Sequence, residues 1–207
     1  MTTLGPVLLE AADPAAVEAF TAALGVTDAV GVRFADAPTS GFRGFTLSLV
    51  VSGPGTVDAL LDAALAAGGT ALKPAAKSFW GYGGVVRAPD GSIWKIATSA
   101  KKDPGPASRT VDSVVLLLGV ADVKASKRFY VEHGLAVDKS FGAKYVQFAT
   151  PSSPVGLGLY GRRALAKDAG VPEEGSGSHR LVIGGDAGSF TDPDGFVWEA
   201  AVVREAG

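Results

Sequence analysis

A nine-residue pattern, Pro-Asp-Gly-x-x-Trp-x-x-Ala, occurs twice in this chain, at residues 89–97 and 193–201. An Asp-Gly turn between extended segments predicts a β-hairpin, because glycine adopts positive φ at little cost. Side chains alternate along a strand, so Trp94 and Trp198 would point to one face. Lys95 and Glu199 would point to the other. The repeats therefore put a cation and an anion at equivalent positions of two similar hairpins.

The segments that precede the hairpins are also repeated. Asp13 and Asp122 each follow a strand-like segment and would cap a helix, as aspartate often does. The offset between copies is 122 − 13 = 109 residues at these capping positions and 194 − 90 = 104 at the hairpin aspartates. Further helices are predicted at residues 55–67 and 162–169. The sequence thus predicts an α+β fold that consists of two tandem βαβββ modules.

A polar segment rich in proline and glycine separates the two copies. Such composition is typical of a linker. We therefore predict a first βαβββ module at residues 1–99, a linker at 100–110 and a second βαβββ module at 111–207.

Charge and composition exclude several function classes. The net charge of −2, without a basic run, argues against nucleic-acid binding, which needs lysine and arginine to replace phosphate counterions. No segment has the length and apolarity of a membrane span, and the start of the chain lacks the pattern of a signal peptide, so we expect a cytoplasmic protein without a membrane partner. Open modules leave strand edges that a homodimer would cover, although two modules can also cover each other.

The second copy carries the most informative motifs, at residues 122–130 and 192–195. The order of strand, Asp-capped helix, further strands and Asp-Pro-Asp-Gly hairpin resembles the vicinal oxygen chelate superfamily. This superfamily includes glyoxalases, bleomycin-resistance proteins and extradiol dioxygenases. The resemblance covers nearly the whole chain and implies paired modules that form open, incomplete barrels around a ligand cavity.

The resemblance also identifies four positions where metal enzymes of this superfamily carry their ligands. In this chain they are Pro6, Lys95, Val115 and Glu199. Only Glu199 could bind a divalent cation, and an ammonium at position 95 would repel one. One carboxylate cannot hold a metal that normally needs several nitrogen or oxygen ligands. We therefore expect neither a metal nor another cofactor.

The family geometry would bring these four positions to one cavity. It predicts a buried or half-buried ion pair between Lys95 and Glu199 in place of the metal, because each charge would need a partner. The alternative is two solvated charges at strand ends. Strand alternation also puts Glu10 on the side of Pro6, where it could be a second cavity acid or a surface residue in a salt bridge.

Two functional hypotheses follow from the sequence. The first is a binding protein that takes up a small, planar or hydrophobic organic molecule without a metal, as in antibiotic sequestration. Residues assigned to ligand binding are Trp80, Tyr82, Lys95, Tyr145, Gln147 and Tyr160. The second is a metal-independent isomerase or lyase in which Glu10 or Glu199 is the catalytic general base. A metal-dependent lyase or dioxygenase is disfavoured by the missing ligands.

Overall fold

The computed structural model describes residues 2–79 and 81–200, which form four helices and fifteen strands. Helices α1 to α4 span Pro14–Ala23, Pro54–Ala66, Val123–Glu132 and Arg162–Ala169. Strands β1 to β7 span Leu4–Ala11, Val30–Phe34, Thr39–Gly41, Phe45–Val50, Thr70–Ser78, Gly81–Arg87 and Ile93–Thr98. Strands β8 to β15 span Ser113–Val120, Val137–Ser140, Tyr145–Phe148, Gly156–Gly161, Gly175–Gly177, Leu181–Gly185, Phe190–Thr191 and Val197–Ala200.

The strands form two main sheets, and each sheet contains strands from both halves of the chain. The larger sheet has eight strands in the order β5-β6-β7-β4-β8-β11-β10-β9, and the smaller has five in the order β14-β15-β13-β1-β2. The halves meet through the antiparallel pairs β4–β8 and β1–β13. A ribbon of β3 and β12 completes the sheets. The repeated hairpins consequently belong to different sheets, with β7 in the larger and β15 in the smaller.

The predicted helix caps are present. Asp13 accepts a hydrogen bond from the amide of Ala16, and Asp122 accepts from the amides of Lys124 and Ala125. Such bonds satisfy amides that have no partner within the helix. They also lower the pKa of Asp122 below its ordinary value.

One extensive core lies between the sheets and helices α1 to α3. Trp94 and Trp198 are almost fully buried in it, as strand alternation predicted. The rings of Trp94 and Phe20 of α1 pack edge to face, with their centroids 5.6 Å apart. The ring centroids of Trp198 and Tyr130 of α3 are 5.5 Å apart. The hairpin tryptophans therefore fix the two sheets to the helices that precede them.

Helix α4 lies on the opposite side of the eight-stranded sheet, packed on β8, β11 and β4. Its apolar residues Leu165, Ala166 and Ala169 form a smaller core with Val85 and Ile93 of the sheet. We call this side of the sheet the α4 face; it carries Lys95, whose neighbours in β7 point into the main core.

The predicted α+β class and all four predicted helices are confirmed. The segment 100–110 contains neither helix nor strand. Within the described residues, no helix is long and apolar enough to cross a membrane. Closure of the sheets into open barrels stays a prediction.

Candidate functional site

Strand β7 presents Lys95 on the α4 face because its neighbours Trp94 and Ile96 are fully buried on the other side. Lys95 is in register with Ser48 of β4, and Ser48 is in register with Val115 of β8. Residues in register on adjacent strands point to the same side of a sheet. Two of the four family ligand positions, 95 and 115, therefore lie on the same face, separated by one strand.

The ammonium of Lys95 is paired with Asp168 near the end of α4. Its Nζ lies 2.9 Å from Oδ1 and 2.7 Å from Oδ2, and the two side chains are 35% and 46% exposed. Lys73 of β5 also reaches this helix and donates hydrogen bonds to the carbonyl oxygens of Lys167 and Asp168. A cation at these carbonyls satisfies acceptors left open by the helix and suits the helix dipole.

A cavity of about 320 Å³ opens beside this ion pair, between β5, β6, β7 and the end of α4. Its volume falls at the small end of the range for ligand pockets. Charged residues in its lining are Lys73, Lys77, Lys95 and Asp168, of which Lys77 is in register with Tyr82 and points its side chain to the other side of the sheet. Small and apolar residues in the lining are Pro74, Ala76, Gly83, Gly84, Val85 and Ala97. The cavity thus combines an apolar floor with an excess of positive charge.

Glu199 lies on the five-stranded sheet and is bound by Arg33 of β2. The guanidinium donates to both Glu199 carboxylate oxygens, at 3.1 and 3.2 Å, and to Oε1 of Glu10 at 2.7 and 2.9 Å. Glu10 and Arg33 are in register on β1 and β2. The hydrogen bonds that Arg33 donates to the carboxylates of Glu199 and Glu10 raise its pKa above the ordinary value. Glu10 is the most enclosed member of this triad, with 16% of its side chain exposed.

The predicted Lys95–Glu199 ion pair is wrong. Within the described residues Lys95 pairs with Asp168 and Glu199 pairs with Arg33. The reason is that Trp94 and Trp198 are buried in the same core, so alternation points Lys95 and Glu199 away from it on two different sheets. The expectation that all four family positions meet in one cavity also fails. Glu199 is in register with Gly184 of β13, next to Pro6 of β1, whereas positions 95 and 115 share the larger sheet.

The other residues assigned to ligand binding lie at different places. Tyr82 is part of the lining of the cavity beside Lys95, but its side chain lies on the other side of the sheet, where it packs on the main core. Its hydroxyl donates there to Asp58 of α2 at 2.8 Å, and this bond raises the pKa of Tyr82. Tyr145, Gln147 and Tyr160 form a group of their own on β10 and β11. The two tyrosine rings are 5.0 Å apart, and Tyr145 donates to Gln147 at 3.3 Å. Trp80 lies outside the described residues.

The residues present do not fit a metal site of the family type. No group of three or more histidine, cysteine, aspartate or glutamate side chains converges on one point in the described part of the chain. His179 has its ring nitrogens against the carbonyl oxygens of Arg43 and Asp194, so it holds loops together. His133 bonds to the carbonyl of Phe129 at the end of α3.

Sequence reasoning missed Arg33, Asp168 and Lys73. Arg33 lies in β2, and its pairing with Glu10 depends on the register of β1 and β2. Asp168 was within a predicted helix, but no local pattern indicates that this helix packs beside Lys95. The position of Lys73 at the cavity depends on the pairing of β5 with β6.

These features define a duplicated α+β protein with the fold of the glyoxalases. Among solved structures, glyoxalase I from Zea mays is similar at 14% identity with a TM-score of 0.61, covering 97% of this chain and 92% of that chain. A "putative dioxygenase" from Bacillus subtilis subsp. subtilis str. 168 is similar at 12% identity with a TM-score of 0.60, covering 98% and 86%. The predicted resemblance to the vicinal oxygen chelate superfamily is thereby confirmed at the level of the fold. No protein-family model and no curated protein sequence matches the chain.

Proposed function

We propose that this protein binds a small organic molecule, without a metal ion, in the cavity beside Lys95. The observation that carries the proposal is the cavity itself. It has an apolar floor on β6 and β7, and it adjoins one of the positions that metal enzymes of this fold use for their ligands. Binding in such a cavity needs shape and a few polar groups, which persist when the metal ligands are replaced.

The charges around the cavity support recognition without a metal. Lys95 puts a positive charge where a metal ligand would stand, and Asp168 already binds that charge. Glu199, the one family position with a carboxylate, lies on the other sheet and is bound by Arg33. A divalent cation would therefore find neither a set of ligands nor a negative field at Lys95.

Sequestration of a planar or hydrophobic compound is the role we assign to this binding, as in proteins that confer antibiotic resistance by holding the drug. The apolar surface for such a compound is the floor of the cavity, to which Val85 and Ala97 contribute. A role in resistance predicts that the expressed protein protects a susceptible host in proportion to its affinity for the compound.

The alternative of a metal-independent enzyme has weaker support. Its candidate bases, Glu10 and Glu199, both accept hydrogen bonds from Arg33. Glu10 and Arg33 line a separate cavity of about 340 Å³ on the five-stranded sheet, away from Lys95. A general base must reach the proton that it removes, and neither carboxylate lines the cavity beside Lys95.

The test is binding of a planar fluorescent probe, 1-naphthylmethanol, to protein treated with EDTA. Ala97→Leu would fill the cavity, because Ala97 lines its floor. The matched control is Ala200→Leu, at an exposed position of β15. We expect saturable binding by the wild type and the control, and a loss of about tenfold or more in Ala97→Leu, equivalent to about 1.4 kcal/mol. Binding that requires added metal, or that survives Ala97→Leu unchanged, would refute the proposal.

A further inference from the structure

The cavity beside Lys95 has an unbalanced charge that points to the class of its ligand. Two lysine side chains at the cavity, Lys73 and Lys95, share the α4 face against one carboxylate, Asp168. Lys77 is also part of the lining, but it is in register with Tyr82, so its side chain points to the other side of the sheet. Lys73 is occupied by neutral carbonyl oxygens, which leave its charge in place. One positive charge therefore remains without a matching anion at the cavity.

A ligand carboxylate can replace Asp168 as the partner of Lys95. Both side chains are partly exposed, at 35% and 46%, and ion pairs of this exposure contribute little to stability. Asp168 would regain water on leaving, whereas the ammonium of Lys95 would gain a new anion of the same geometry. A ligand carboxylate can thus take the place of Asp168 with little net loss.

Exchange at Lys95 does not require α4 to leave the sheet. The helix is held by Leu165, Ala166 and Ala169, which are almost fully buried in the smaller core. Lys73 also anchors the end of the helix through main-chain carbonyls, independently of the Asp168 carboxylate. Rotation of one side chain is therefore sufficient to free Lys95.

We propose that the ligand is a small organic carboxylate, whose carboxylate displaces Asp168 from Lys95 and whose apolar body lies on the floor formed by Val85 and Ala97. This inference rests on the proposed function and adds the charge of the ligand to it. Lys73 contributes to the positive field that favours the anion, so the affinity falls as salt is raised.

The experiment compares three probes of one shape: 1-naphthoate, neutral 1-naphthylmethanol and cationic 1-naphthylmethylammonium. Proteins are the wild type, Lys95→Met, Asp168→Asn and the control Lys101→Met, at an exposed site before the second half of the chain. We expect the wild type to prefer 1-naphthoate over the alcohol by about tenfold, as for a charge-assisted hydrogen bond. Lys95→Met should abolish this preference, and Asp168→Asn should increase it, because the competing carboxylate is gone.

The outcomes separate the inference from the proposed function. If the alcohol binds and 1-naphthoate binds no more tightly, the binding function stands and the inference is wrong. If Asp168→Asn weakens the binding of 1-naphthoate, the proposed displacement of Asp168 by the ligand carboxylate is also wrong. Failure of all three probes to bind would overturn both. Lys101→Met should match the wild type, and a loss of preference there would show a general effect of charge, which contradicts a site at Lys95.

Discussion

Lys95 and Glu199 occupy the same place in two copies of one hairpin motif, yet they pair with residues of different elements on two separate sheets. Lys95 pairs with Asp168 of α4 on the eight-stranded sheet, and Glu199 pairs with Arg33 on the five-stranded sheet. The two copies therefore share the backbone position and differ in the partner that each side chain binds. One sheet carries a cationic cavity, and the other carries a glutamate–arginine–glutamate triad.

Replacement of Glu199 by glutamine tests this separation. We expect Glu199→Gln to bind 1-naphthylmethanol as the wild type does, because Glu199 is not part of the cavity beside Lys95. The free energy of unfolding should fall by less than about 1 kcal/mol, since the Arg33–Glu199 pair is half exposed and screened by solvent. Fluorescence titration and urea denaturation measure the two effects. A large loss of affinity would show that Glu199 takes part in the site.

Local patterns predicted the elements well because they depend on near neighbours. Asp13 and Asp122 cap helices as expected. Alternation in β7 correctly predicted that Trp94 is buried and that Lys95 lies on the other face of the strand. Strands β3 and β12 were missed, since each has three residues and no apolar alternation. Their pairing joins Ser40 to a residue far away in the chain, and no short window of sequence contains that information.

The candidate site depends on contacts that the sequence could not indicate. Lys95 and Asp168 are 73 residues apart, and Arg33 and Glu199 are 166 apart. Both contacts form because elements from the two halves of the chain lie side by side. The periodicity of the sequence does not determine this arrangement. The resemblance to a family gave the correct fold. It gave the wrong partner for Lys95, because the four ligand positions were assumed to converge.

Added metal provides a second prediction. Mn²⁺ or Zn²⁺, supplied in excess to protein without an affinity tag, should leave the melting temperature unchanged, and EDTA should have no effect. A metal that bound the folded state specifically would raise the melting temperature by mass action. The described residues offer no cluster of three suitable side chains. A saturable rise in the melting temperature that disappears in Glu199→Gln would contradict the prediction and return Glu199 to the role of a ligand.

The buried ion pair of Arg43 and Asp90 should matter far more for stability than the exposed pairs. Their side chains are 4% and 0% exposed, 2.8 Å apart, and Arg43 also donates to the carbonyl oxygens of His179 and Arg180. Burial lowers the pKa of Arg43, and Asp90 opposes this effect. Arg43→Met would leave a buried carboxylate without its cation, so we expect a loss of about 3–5 kcal/mol in the free energy of unfolding.

Urea denaturation of Arg43→Met beside Lys95→Met measures this difference. Lys95 provides the comparison because its pair with Asp168 is partly exposed, and such pairs contribute at most about 1 kcal/mol. The double variant Arg43→Met, Asp90→Asn should recover part of the loss, since no charge is then left buried alone. Equal losses in the free energy of unfolding for Arg43→Met and Lys95→Met would contradict the prediction.

Asp192 should make stability depend on pH in a direction that its environment fixes. Its carboxylate is buried and accepts hydrogen bonds from the hydroxyl of Tyr130 and the amides of Asp194 and Phe196. Burial raises the pKa of Asp192 above its ordinary value of 3.8, although these bonds oppose the rise. Between that ordinary value and the raised one, the folded protein binds more protons at this site than the unfolded chain does.

The contribution of Asp192 to stability is therefore complete at low pH and is lost as the pH rises through its raised pKa. The free energy of unfolding of the wild type, relative to Asp192→Asn, should increase as the pH is lowered from 7 towards 4. Tyr130→Phe removes one donor that favours the ionised carboxylate, so the same comparison in that background should show a steeper increase. Urea denaturation at each pH measures all four proteins. A difference that decreases as the pH falls would mean that the three donors outweigh burial, and that Asp192 is held ionised in the fold.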